Sequence, residues 1–222
     1  FTGNPEEFFH NSELKAYLKI VFVSTVLIAF SIYPIYGVGG GLRQSFFQVA
    51  SVITTTGFST ADYNSWPEFA KMVLFFLMFV GGCSGSTAGS IKVIRWLILQ
   101  KQAGMEAKRL LSPHGVFGIQ LNNRPGRKDI VYSVAGFIFC YFLLTLITAL
   151  VAAADGADLL SGFTASLALI GNIGPGFGRV GPAGNFAFFS SPVKIFFSFV
   201  MLAGRLELYT MIIYFMPAFW KR

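Results

Sequence analysis

Apolar residues in this chain gather in long blocks separated by short polar strips rich in glycine. Three blocks, roughly 16 to 36, 130 to 153 and 192 to 217, are long enough to cross a hydrocarbon core, for which about 20 mostly apolar residues suffice. A fourth, 67 to 100, is interrupted: 67 to 80 reads as half a membrane helix, 81 to 90 as a flexible break and 91 to 100 as the continuation. Two semi-apolar segments, about 43 to 54 and 160 to 170, are too short to span and have the length of re-entrant helices, which enter and leave on one side. Each runs into a polar strip, TTTGFST (54 to 60) or GNIGPGFG (171 to 178), whose backbone can neither stay helical nor face lipid. Such backbone is tolerated around a polar or water-filled path.

The order of long helix, short segment, glycine-rich turn and second helix occurs twice, which predicts an all-α integral membrane protein built by duplication. The units occupy 1 to 100 and 129 to 222, with a connection at 101 to 128. Setting 45 to 58 against 162 to 175 pairs Phe46 with Phe163, Ile53 with Ile170 and Gly57 with Gly174. A slightly different offset pairs Lys71 with Lys194, Met78 with Met201 and Gly81 with Gly204.

Composition sharpens the choice of solvent. The 222 residues are 54% hydrophobic and only 12% charged, with a mean hydropathy of +0.63, too apolar for an ordinary soluble domain. The net charge of +7 matters less than its placement: Lys101, Lys108, Arg109, Arg124, Arg127 and Lys128 crowd one connection. The positive-inside rule makes that connection cytoplasmic, together with both ends, which carry Lys15 and Lys19 or Lys221 and Arg222. Asp62, Glu68, Asp155 and Asp158 then fall outside. No aromatic platform or DNA-binding motif accompanies the basic loop, so no nucleic-acid partner is expected. Cys83 and Cys140 lie in apolar segments and read as packing residues, while His10 and His114 read as solvated. The start at Phe1, with no secretory signal, leads us to expect a longer protein.

The strips carry the candidate chemistry. A re-entrant helix points the negative end of its dipole into the membrane, and the strip after it can turn carbonyl oxygens toward an axis, which favours cations. Glycine at 57 and 174 permits backbone angles and close approach that a β-carbon obstructs, and Thr54, Thr55, Thr56 and Asn172 add side-chain oxygens. The plain alternative is an ordinary extramembrane turn; two strips in register weigh against it. Gly176, Gly178 and Gly181 satisfy a dinucleotide-binding fingerprint literally, but no strand precedes them.

The segments SVITTTGFSTADYNSWP (51 to 67), GGCSGSTAGSIKVIR (81 to 95), IGNIGPGFGRVGP (170 to 182) and AGRLELYT (203 to 210) resemble the Trk/Ktr/HKT superfamily of potassium transporters over nearly the whole chain. The resemblance implies two of four repeats of helix, pore helix with filter loop, and helix: half of a pseudo-fourfold, potassium-channel-like pore, the third and fourth repeats. It implies potassium (K+) as the transported ion and no organic cofactor. Filter positions would be Thr55, Thr56, Gly57 and Phe58 in one unit and Asn172, Ile173, Gly174 and Pro175 in the other. In the superfamily, glycine at these positions goes with potassium passage and serine in one repeat with sodium preference. The resemblance further implies a bacterial inner membrane surrounded by lipid, a homodimer, and a cytosolic nucleotide-binding regulatory subunit that would meet the basic loop.

The break also fits the family's intramembrane gating loop, through Gly81, Gly82, Ser84, Gly85, Ser86, Thr87 and Gly89; its other use would be close helix packing through Gly85 and Gly89. Arg205 stands in an apolar helix, where insertion costs roughly 2.5 to 3.5 kcal/mol. Glu207, two positions on, diverges from it on a regular helix, so the expected compensation is carbonyls of 81 to 90, with Arg205 as an electrostatic barrier below the filter. Lys92 is expected to face polar protein, Lys71 and Lys194 to snorkel outward, and Trp66, Trp96 and Trp220 to anchor at interfaces. An Asn-Arg-Pro-Gly turn suggests a small hairpin in the basic loop. Two rivals remain: an intramembrane serine protease through Gly82-Cys83-Ser84-Gly85, which lacks a histidine in a membrane segment, and a rocking secondary transporter, disfavoured by units that share one orientation.

Overall fold

The computed structural model describes residues 11–112, 120–121, 124–125, 128–206 and 208–220. Helix α1 (Ser12–Ile53) starts at Asn11, whose side chain accepts from the N–H groups of Glu13 and Leu14 and so satisfies donors that a helix start leaves open. Pro34 lies inside it, and Gly37 at φ 67° and ψ −175° folds it into two legs. The first leg is about 37 Å long at the usual helical rise, enough to span; the second is only about 24 Å. The second leg lies against Ala29 and Ile32 of the first at Gly41. The short segment thus begins well before residue 43, because Gly39 and Gly40 continue the helix after the turn.

After the first strip and a 3-10 turn at Tyr63–Ser65, helix α2 (Glu68–Leu77) descends and ends at Met78. Helix α3 (Val93–Leu111) follows the break and runs through the first part of the basic connection, where Gln102, Ala103, Met105 and Glu106 are good helix formers. A two-residue pair, β1 (Gln120–Leu121) with β2 (Arg124–Pro125), is antiparallel, with Leu121 opposite Arg124. Helix α4 (Lys128–Ala154) is the second helix long and apolar enough to cross a membrane. A turn at Gly156 leads to α5 (Leu159–Ile170), capped by Asp158, and then to the second strip and a 3-10 turn at Gly178–Val180. The expected third span is not continuous: α6 (Ser191–Arg205) stops at Leu206, and α7 (Leu208–Phe215) and α8 (Pro217–Trp220) follow. Apolarity alone cannot register such a stop, since no proline stands between Pro192 and Pro217.

The core joins both units, with Ile28, Ile53 and Leu74 from one and Tyr141, Ile170 and Phe197 from the other. Helix α5 is buried along nearly its whole length, including Ser161, Thr164 and Ser166. By contrast, Phe22, Phe30 and Phe139 are 70%, 86% and 68% exposed on the two long helices, a surface suited to hydrocarbon rather than water. Trp66 does not sit at an interface; it is buried between the rings of Tyr36 and Tyr63.

Candidate ion path

The two strips leave their short helices by the same hydrogen-bond pattern. Thr55 N–H donates to Val52 O at 3.0 Å and Thr56 N–H to Ser51 O at 2.9 Å; Asn172 N–H donates to Leu169 O at 3.1 Å and Ile173 N–H to Ala168 O at 2.9 Å. These donors and acceptors correspond one to one in the alignment of 45 to 58 with 162 to 175. Dihedral angles repeat as well: φ is 55° at Thr55 and 79° at Gly57, 52° at Asn172 and 104° at Gly174, with negative φ at the residues between. A backbone that alternates in this way gathers N–H groups on one side and carbonyls on the other.

The strips also touch. A β-carbon built on Gly57 would lie 1.8 Å from Ile173 O and 3.2 Å from Pro175 Cδ. Outside this contact lies a cavity of about 400 Å³ lined by Gly57, Phe58 and Ser59 of one strip and by Gly174 and Pro175 of the other. Ser51 donates its hydroxyl to Phe58 O at 2.6 Å, and Thr164 accepts from Phe177 N–H at 3.0 Å, so each short helix holds the strip that follows it. Asp158, which caps α5, is kept below the usual carboxylate range by hydrogen bonds from Ser161, so its charge persists into acid. Burial, with the Asp62 charge second, pushes the Tyr63 phenol far above its ordinary range and keeps it a hydrogen-bond donor.

The break folds against the first residues of both strips. Its neck is closed by Gly81 N–H to Ile91 O at 2.9 Å, Val93 N–H to Gly82 O at 3.2 Å and Ser90 Oγ to Met78 O at 2.9 Å. Gly89 N–H donates to Thr55 Oγ1 at 3.3 Å, and a β-carbon there would lie 2.1 Å from Gly171 O. Gly85, at φ 86°, faces open space, and Gly85 and Gly89 lie outside any helix, so a helix-packing GxxxG does not exist here. Arg205 reaches across from the end of α6 and donates to Thr87 O in the break. Its neighbour Gly204 packs on Ile170 O and Asn172 Nδ2. Glu207 lies outside the described residues, as do His10 and His114.

Several contacts have no sequence signal. Glu13, only 7% exposed, accepts from Ser84 N–H at 2.5 Å and ties the break to the start of α1; its sequence reads as one more acid at a helix start. Asn172 donates to Met201 O at 3.0 Å, and Arg95 lies over the Phe137 ring at 3.7 Å. Among the described residues no group of three or more histidine, cysteine or acidic side chains is arranged to hold a metal.

The model of the family described as TrkH, cation transport protein, matches residues 15–222. The chain belongs to the TrkH family. Transporters of this family are not enzymes, which leaves Ser84 no place as a protease nucleophile. The Trk system potassium uptake protein TrkH of Salmonella typhimurium is 43% identical over 180 residues, 81% of this chain and 37% of that protein. TrkH of Vibrio parahaemolyticus is 35% identical over 221 residues, 98% of this chain and 45% of that one. The crystal structure of the potassium transporter TrkH from Vibrio parahaemolyticus superposes with a TM-score of 0.89 at 34% identity, covering 98% of this chain and 47% of the other. The chain therefore spans less than half the length of these TrkH relatives and shares their helical fold.

Proposed function

We propose that this chain supplies two pore repeats, residues 1 to 100 and 129 to 222, of a potassium uptake protein in a bacterial inner membrane. In this reading the second leg of α1 and helix α5 are re-entrant pore helices. Carbonyls of Thr55, Thr56, Asn172 and Ile173 replace the hydration shell of K+, and Phe58 and Pro175 open onto the outer mouth. The observation that carries the reading is the matched pair of left-handed positions in two strips whose backbones touch. Ordinary surface turns have no reason to share dihedral pattern, hydrogen-bond register and a common contact.

Below the strips, the loop of Gly81, Gly82, Ser84, Gly85, Ser86, Thr87 and Gly89 is the gate. Arg205 holds it from α6, and Glu207 is a further gating residue in this reading. A fixed positive charge beneath the filter opposes cation passage until loop and arginine move. The basic stretch 101 to 128 stays on the cytoplasmic side with both ends, where a nucleotide-binding regulatory subunit would meet it, and the protein pairs as a homodimer in lipid.

The test is rubidium uptake by cells that lack their other potassium uptake routes and express the protein's gene. Uptake should depend on that gene and be suppressed by external potassium far more than by equal sodium. Equal suppression by both ions, or no uptake, would remove the assignment.

A further inference from the structure

Two side chains of the outer loop after the first strip reach across to the second. Tyr63 is 2% exposed; its hydroxyl donates to Gly176 O at 2.9 Å, and its ring stands edge-on to Phe177 with centroids 5.1 Å apart. The Asn64 amide donates to Gly178 O at 3.1 Å and accepts from Gly178 N–H at 3.1 Å, so it pairs with that residue as a neighbouring peptide would. Gly181 is packed on the same amide, where a β-carbon would meet Asn64 Nδ2 at 2.0 Å.

The other side of the segment is held by its own short helix. Thr164 Oγ1 accepts from Phe177 N–H at 3.0 Å and Ser161 Oγ from Arg179 N–H at 2.9 Å. Each of the four residues 176 to 179 is thus tied by a side chain, two from α5 and two from the first unit. The first strip has a different support. Phe58 O is bonded by Ser51, and Thr60 by Gln44, both from the leg that precedes it. Among the described residues, the second strip alone has its outer end resting on the other unit in this way.

We propose that Tyr63 and Asn64 are positioning residues that set the ion preference of the second strip. This rests on the reading of 171 to 175 as filter. Carbonyls select among ions through their number and spacing, so the end that anchors them contributes to discrimination although it never touches the ion. Gly176 follows Pro175 directly, so a shift of its carbonyl is passed to Ile173 and Gly174 through two peptide planes, each nearly rigid.

The experiment compares Asn64→Ala, Tyr63→Phe and Gly174→Ser, each placed in the protein's own gene, by rubidium uptake in competition with sodium and by the amount of protein in the membrane. Losing one neutral hydrogen-bonded anchor should lower the rubidium-over-sodium preference about five-fold in Asn64→Ala, and less in Tyr63→Phe. Tyr63→Phe keeps the ring against Phe177 and Trp66, so it gives a reading even where Asn64→Ala does not reach the membrane. A changed preference at normal protein amount supports positioning. Should Gly174→Ser alter the preference while Tyr63→Phe and any Asn64→Ala that reaches the membrane leave it as in the parent, the two residues are only structural and the proposal falls. No change in Gly174→Ser would overturn the filter reading, and this proposal with it.

Discussion

Gly57→Ala should cut rubidium uptake by more than about ten-fold without a matching loss of protein from the membrane, since a side chain in a strained positive-φ conformation costs roughly 1 to 3 kcal/mol. Strain is only part of the effect. The new β-carbon would stand 1.8 Å from Ile173 O, inside the contact between the strips. The other unit's carbonyl must then move, and it is one of the oxygens assigned to the ion. Gly174 provides the comparison: its φ of 104° is also positive, but its β-carbon position is open. Gly174→Ala therefore carries the backbone strain alone and should retain more uptake than Gly57→Ala. Equal loss in both, or full uptake in Gly57→Ala, would show that the strips do not share one path.

Arg205→Ala is expected to act in the opposite direction. The guanidinium bonds Thr87 O in the break while Gly204 beside it packs on Ile170 O, so one short stretch of α6 touches both the loop and the end of α5. Removing it deletes a charge-assisted hydrogen bond, worth roughly 1.5 to 3 kcal/mol, together with the positive potential beneath the strips. Uptake of rubidium should rise on the order of ten-fold, the scale of that lost bond. Arg205→Lys should fall between, because an ammonium keeps the charge but not the planar fork. Unchanged uptake in Arg205→Ala would mean that the arginine only joins α6 to the loop.

How much of this was legible in the sequence depends on the kind of interaction. The bilayer imposes length and polarity on contiguous residues, so α1, α4 and both short helices were readable as apolar runs of different length, and the register of Gly57 with Gly174 followed from the glycine strips. Of the residues expected to line the filter, Gly57 lies against Ile173 and Pro175 of the other strip. Contacts from a side chain to a distant backbone carry no period. Glu13 with Ser84 and Asn64 with Gly178 join segments far apart in the chain, and neither partner is unusual in its own neighbourhood. The stop at Leu206 was hidden for a related reason: apolar residues resume directly after Arg205 and Glu207, while the helix ends where Arg205 turns toward Thr87. Trp66 was misplaced because an indole suits an interface and a core equally well, and the deciding rings of Tyr36 and Tyr63 are tertiary neighbours.

The central claim is that oxygens of two touching strips share one dehydrated cation. Crystals of the protein grown in rubidium or thallium test it most directly, because both ions scatter anomalously and stand in for potassium. The account predicts anomalous peaks on the axis within coordination distance of the Thr55, Thr56, Asn172 and Ile173 carbonyls. Peaks confined to the acidic outer surface, with none between the strips, would contradict it.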